Sequence, residues 1–292
     1  MGETANIAEI AKKVLHEIFR VFYWELRPLE DTNFDCVSED HLTPKGEKKA
    51  THPTDVIFHY QDPYLNKVVY LHTDLKSYSK TSLKIGKIRD ALNSLAQTVA
   101  CAQVSSSWKN KYPKDDETYE VRGLLFVVNH DNKAVNAFDE YLKKISKNNL
   151  DVERDQIIHV LSPRDITNLY SIATDIQLSI QRRDLSPRYR FFYPDLTLWK
   201  RKVADDVRTA ATIETLKSPY FILRHEAIPA TSESAAIQGG SVVYYSRKGE
   251  TIDEFIYLLD SLLRYQLVKA NETIKIKIFN PDRAGNFKTN FG

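Results

Sequence analysis

Apolar residues recur with a helical period at the start of the chain. Ile7, Ile10, Ala11, Val14, Leu15, Ile18 and Phe22 share one face at about 100° per residue, which predicts an amphipathic helix over 7–23. A polar, turn-rich stretch containing Pro28, Pro44 and Gly46 follows, with room for one short strand. The pattern then changes to that of strands. Residues 55–60 (Asp-Val-Ile-Phe-His-Tyr) are rich in β-formers, and 67–76 opens with Lys-Val-Val-Tyr-Leu. The Gln-Asp-Pro-Tyr-Leu-Asn segment between them has turn chemistry, so the pair is predicted to be a hairpin. Helical spacing returns over 82–105, through Leu83, Ile88, Leu92, Leu95, Ala96, Val99 and Ala100. A buried strand at 121–128, a helix at 134–145, a strand at 156–161 and a helix at 165–179 complete this part. Alternation of strands and helices predicts an α/β fold, a mixed sheet with helices on its faces.

Beyond Arg182 the character changes. Residues 182–190 carry four arginines and one proline and read as a linker or exposed basic loop. Strand, helix and strand patterns follow at 242–245, 251–265 and 273–279. The expected division is therefore 1–182 and a smaller α+β module over 183–292.

Composition narrows the picture little. The chain is 42% hydrophobic and 27% charged, as soluble globular proteins are, and its 41 basic against 39 acidic residues leave a net charge of +2. No global basic field points to nucleic acid, so phosphate affinity must come from local clusters. No stretch reaches the roughly 18 apolar residues of a membrane span. Cys36 and Cys101 are the two cysteines, and neither has a partner at metal-ligand spacing. Neither a disulfide framework nor a structural zinc site is expected, and a reducing cytoplasm is.

The hairpin concentrates the candidate chemistry. Side chains alternate along a strand, so Tyr70, His72, Asp74 and Lys76 project from one face. Asp55 opens the partner strand and falls roughly level with the early 70s. Two carboxylates and an ammonium thus meet at one end of a sheet. Carboxylate oxygens suit a hard cation such as Mg²⁺, with Mn²⁺ able to substitute. Such a cation polarises a phosphoryl oxygen and acidifies water, while an adjacent lysine stabilises charge building on phosphorus. The fitting chemistry is phosphodiester hydrolysis.

His52-Pro-Thr-Asp55 followed by Thr73-Asp-Leu-Lys76 resembles the motif of the PD-(D/E)XK, or restriction-endonuclease-like, nucleases. Thr54 stands where the family often has proline. The resemblance implies a nuclease-like domain over 1–182 that cuts DNA with a divalent metal, in the flavour of the resolvase-like and Mrr-like enzymes of bacterial anti-phage defence. It implies a homo-oligomer or a partner subunit, and leaves a DNA or partner contact to 183–292. It also implies a glutamate from the first helix on the metal, for which Glu17 is the candidate, and a glutamine from the helix after the motif, for which Gln97 is. Lys80, Lys84, Lys87 and Arg89, just beyond the motif, are candidate DNA-backbone contacts; Lys109, Lys111 and Lys114 beside Trp108 and Tyr112 form a second basic run. A rival expectation is an inactive DNA-binding or scaffolding subunit that keeps the fold. Tyr193-Pro-Asp195 with Glu214-Thr-Leu-Lys217 is a look-alike whose acid and lysine would face opposite sides of a strand.

Overall fold

The computed structural model describes residues 16–27, 32–43, 45–146, 149–194, 208–246 and 251–279. The chain divides into two compact units: residues 1–20 with 24–167, and residues 21–23 with 168–292. The division falls after Thr167, earlier than the change in composition at Arg182.

In the first unit, five strands form a sheet: β1 Glu25–Leu26, β4 Val56–Asp62, β5 Lys67–Tyr78, β6 Tyr119–Asn129 and β7 Ile158–Leu161, in the order β1-β4-β5-β6-β7. The hairpin pair β4/β5 is antiparallel, whereas β5/β6 and β6/β7 are parallel. Its turn is set locally. The Asp62 carboxylate accepts from the backbone N–H groups of Tyr64 and Leu65 at 2.9 Å each, and Asn66 takes a left-handed φ of 53°. Asp and Asn are the residues that tolerate such a turn.

Parallel strands need a long crossover, and the helix α1, Ile85–Val104, supplies it between β5 and β6. Its Ile88, Ala91, Leu92, Leu95, Val99 and Ala102 are buried, at spacings of three and four, in one cluster with Ile57, Tyr70, Leu125 and Val127 of the sheet. Each large apolar side chain there stabilises the fold by roughly 1.5–3 kcal/mol. Gly123 lets this helix lie close: a Cβ there would stand 3.1–3.2 Å from atoms of Leu95 and Val99. A short helix, α2 Ser106–Lys109, follows and buries Trp108 fully; α3, Val135–Lys144, crosses between β6 and β7. The other face of the sheet is covered by aromatics. Phe19, from the helical segment 16–21, stacks on Trp24 and packs edge-on against Phe58 and Phe126.

The polar stretch holds two strands rather than one. β2, Thr32–Asp35, and β3, Thr51–Thr54, form an antiparallel ribbon, and β3 leads directly into Asp55.

The helix α4, Pro163–Gln181, runs from the first unit into the second. The second unit has a four-stranded sheet of β8 Tyr189–Phe191, β9 Tyr220–His225, β10 Gly240–Tyr245 and β11 Thr273–Ile278, in the order β11-β10-β9-β8. A one-turn helix, α5 Ile213–Leu216, precedes β9, and α6, Ile252–Arg264, joins the parallel pair β10 and β11. Two of these strands go beyond the expectation from sequence. β8 sits at the end of the stretch that reads as a basic linker, and β9 lies between the predicted elements.

Candidate active site

β4 begins opposite the end of β5, with Val56 paired to Thr73. One step further along the same register, Asp55 comes level with Asp74. The Asp55 carboxylate accepts from the backbone N–H of Leu75 at 2.9 Å, which holds it against the neighbouring strand. Lys76 donates its ammonium to the Asp74 carboxylate. The structure thus brings Asp55, Asp74 and Lys76 together on the α1 side of the sheet.

The electrostatics of the trio are unbalanced. Burial pushes the Asp74 carboxyl up to about 6; Lys76 works against this, and the nearby charge of Asp55 adds to it. Its side chain is 18% exposed and that of Lys76 36%, so the acid is the more deeply buried of the two. Two carboxylates converging with one lysine form a hard-oxygen donor set short of positive charge, and this donor set fits a divalent cation. His72, one pleat before Asp74, is fully buried and held neutral, its pKa lowered to about 4 chiefly by burial. Its Nε2 donates to the Pro53 carbonyl at 3.2 Å, which braces the strand that leads into Asp55.

Glu17 and Gln97 are not brought into contact with this trio. Glu17 is exposed, on the helical segment whose Phe19 packs over the opposite face of the sheet. Gln97 is half-buried on α1, and its carbonyl accepts from Lys49 at 2.7 Å. Lys80, Lys84, Lys87 and Arg89 are all exposed, around the start of α1. That helix has no side-chain cap and no acid in its first turn. Cations at a helix N-terminus oppose the macrodipole, so the cluster costs stability in the free protein and is suited to an anion. The Tyr78 hydroxyl, whose pKa is raised chiefly by burial, also lies within range of the charges of Asp74 on β5 and Asp90 on α1, which puts the start of α1 near the site. Asp90 has no signal in the sequence to separate it from other helical acids.

In the second basic run, Trp108 and Tyr112 are core residues rather than a stacking surface, and Lys111 donates to the Asn33 carbonyl at 2.6 Å. Asp195 of the look-alike motif lies outside the described residues, and its Glu214 is on a helix. Two features escape sequence reasoning altogether. The second unit has a cavity of about 540 Å³ lined by Arg188, Arg190, Arg208, Arg224 and Glu272 among others, where an exposed loop is expected from the sequence. Folding also brings Cys36 and Cys101, which no sequence spacing connects to a ligand, together with His41 and His52.

No curated protein and no solved structure matches the chain. The family model described as the GAPS4 protein PD-(D/E)XK nuclease domain matches residues 1–165, more than half of the sequence and the whole of the strand–strand–helix arrangement around Asp55 and Asp74. The chain belongs to that family, and its mixed sheet flanked by helices is a restriction-endonuclease-like fold.

Proposed function

We propose that the protein is a metal-dependent endodeoxyribonuclease whose site is Asp55, Asp74 and Lys76. The observation that supports this most is the register of β4 on β5. It sets Asp55 level with Asp74 and leaves Lys76 one pleat further along the same face. Asp55 and Asp74 would hold Mg²⁺, with Mn²⁺ able to substitute, and the ion would supply Lewis acidity toward a phosphate oxygen. The remaining roles belong to the chain. With a cation held by the carboxylates, Lys76 would be free of Asp74 to orient a water or to neutralise charge on the phosphate. Partial burial of Asp74 limits the water that competes for its oxygens. Lys80, Lys84, Lys87 and Arg89, together with the N-terminal end of α1, receive the DNA backbone on one side of the cut. Glu17 and Gln97 have no part in this proposal.

The family supports placing this activity in bacterial anti-phage defence, in the cytoplasm, against DNA. One such site cuts one strand, so double-strand cleavage calls for two copies. The stripe Ile252, Ile256, Leu259 and Leu263, exposed along one face of α6, supports self-association of the second unit.

Calorimetric titration with Mn²⁺ separates the enzyme from an inactive scaffold that keeps the fold. The enzyme binds the ion and loses it on Asp55→Ala. Equal binding by wild type and variant, or none by either, contradicts the proposal.

A further inference from the structure

Away from the carboxylates, four potential ligands meet on three separate elements. Cys36 follows β2, His41 lies in the loop after it, His52 is on β3 and Cys101 is on the last turns of α1. One ligand atom from each lies within 4.8 Å of all the others. His52 and Cys101 are buried and Cys36 is half-buried.

Four of the six separations are close to the edges of a tetrahedral coordination sphere, and the other two, from the His52 Nε2 to the sulfurs, lie within 4.8 Å. The two sulfurs are 3.8 Å apart, the His41 Nδ1 is 3.5 Å from the Cys36 Sγ and 3.3 Å from the Cys101 Sγ, and it is 3.3 Å from the His52 Nε2. A tetrahedron with zinc–sulfur bonds of about 2.3 Å and zinc–nitrogen bonds of about 2.0–2.1 Å has edges of about 3.8 Å between sulfurs, about 3.6 Å between sulfur and nitrogen and about 3.3 Å between nitrogens. Hydrogen bonding does not account for the same geometry. A ring nitrogen has one proton or one lone pair, yet the His41 Nδ1 faces three heteroatoms at once. A disulfide is no better an account, since it needs sulfurs about 2.05 Å apart and gives the histidines no reason to converge.

The surroundings fix the ligand atom of His52. The Thr98 hydroxyl donates to the Ser94 carbonyl at 2.8 Å, so toward the His52 Nδ1, 3.2 Å away, it acts as acceptor. His52 Nδ1 therefore carries the proton, and the Nε2 lone pair is aimed into the cluster. A hydrogen bond on the far nitrogen of a metal-binding histidine does this in general.

We propose that Cys36, His41, His52 and Cys101 hold a structural zinc ion through the Cys36 Sγ, His41 Nδ1, His52 Nε2 and Cys101 Sγ. Binding releases the proton of each thiol, and two thiolates with two neutral imidazoles balance the charge of Zn²⁺. Four protein ligands leave no open position, which makes this a structural site rather than a catalytic one. The mixed sulfur and nitrogen set selects zinc over the magnesium suited to the carboxylates. Zinc would tie the β2–β3 ribbon to α1 three residues before Asp55, and so position the strand that delivers that carboxylate.

The test is metal analysis of the full-length protein after extensive dialysis against metal-free buffer. The proposal expects one zinc per chain in wild type and in Asp74→Ala, and its loss in Cys36→Ser and His41→Ala. Co²⁺ in place of zinc should give a sulfur-to-cobalt charge-transfer band and d–d bands of tetrahedral intensity. If a variant does not fold, the wild-type zinc content and the cobalt spectrum still decide. Trace zinc in folded wild type overturns the proposal. So does stoichiometric zinc that survives in both folded variants, or a Cys36–Cys101 disulfide in metal-free protein purified without reductant. None of these readouts depends on DNA cleavage, so the zinc site and the nuclease site can fail separately.

Discussion

Replacing Asp74 with asparagine should stabilise the metal-free protein. Asparagine keeps the shape and an oxygen that accepts from Lys76, but it removes a carboxylate forced into a buried site beside Asp55. The folded protein raises this carboxyl from its ordinary 3.8 to about 6. A raised folded-state value means the folded chain holds the proton more tightly than the unfolded one. The associated stability is fully present below pH 3.8 and is lost as the pH rises through about 6. That gap corresponds to about 3 kcal/mol at pH 8 and about half as much at pH 5. Asp74→Asn should therefore exceed wild type by about 2–3 kcal/mol at pH 8 in EDTA, or on the order of 5–10 °C in Tm. Its advantage should shrink at pH 5. Trp24 and Trp108, two of the three tryptophans, are buried in the first unit, so urea unfolding followed by tryptophan fluorescence in a Trp199→Phe background reports on the right part of the chain. Saturating Mg²⁺ should close the gap from the other side, since binding at a hundredfold excess over Kd is worth about 2.7 kcal/mol to wild type alone. The reasoning is refuted if Asp74→Asn is no more stable than wild type at pH 8, or if its advantage is the same at pH 5.

Two further outcomes are expected. Combining Lys84→Glu with Lys87→Glu in the Asp74→Asn background should weaken duplex binding and flatten its salt dependence, by about 0.9 in the log–log slope for each phosphate left without its cation; an unchanged slope would place the DNA elsewhere. Wild type should dimerise with rising concentration in analytical ultracentrifugation, and Leu259→Asp with Leu263→Asp should be monomeric. A wild type that stays monomeric at all concentrations would remove the α6 stripe from the account.

What can be read in the sequence is what strands and helices encode locally. The alternation through Tyr70, His72, Asp74 and Lys76 fixes a shared face, and the short connection after Tyr60 fixes the register, so two strands suffice to bring Asp55 near Asp74. The crossover helix is legible for the same reason, from the period of Ile88, Leu92, Leu95 and Val99. Tertiary convergence is not legible. Cys36, His41, His52 and Cys101 come from a loop, a ribbon and a helix, and no local spacing connects them. At Glu17 the helical period says which residues face a core, but not which face of a sheet the helix will cover. The strand at Tyr189–Phe191 is hidden by its own charge, because Arg188 and Arg190 look like loop residues until the cavity they line is known.

The central claim, that Asp55, Asp74 and Lys76 form a metal-dependent nuclease site, is tested most directly on supercoiled plasmid. Purified wild type and Lys76→Ala are incubated with it in Mg²⁺, Mn²⁺ or EDTA, after matching their melting temperatures. The account predicts relaxed or linear product with wild type and either metal, none in EDTA, and a loss of about a hundredfold or more in Lys76→Ala. Cutting by Lys76→Ala at the wild-type rate, or undiminished cutting in EDTA, would contradict it.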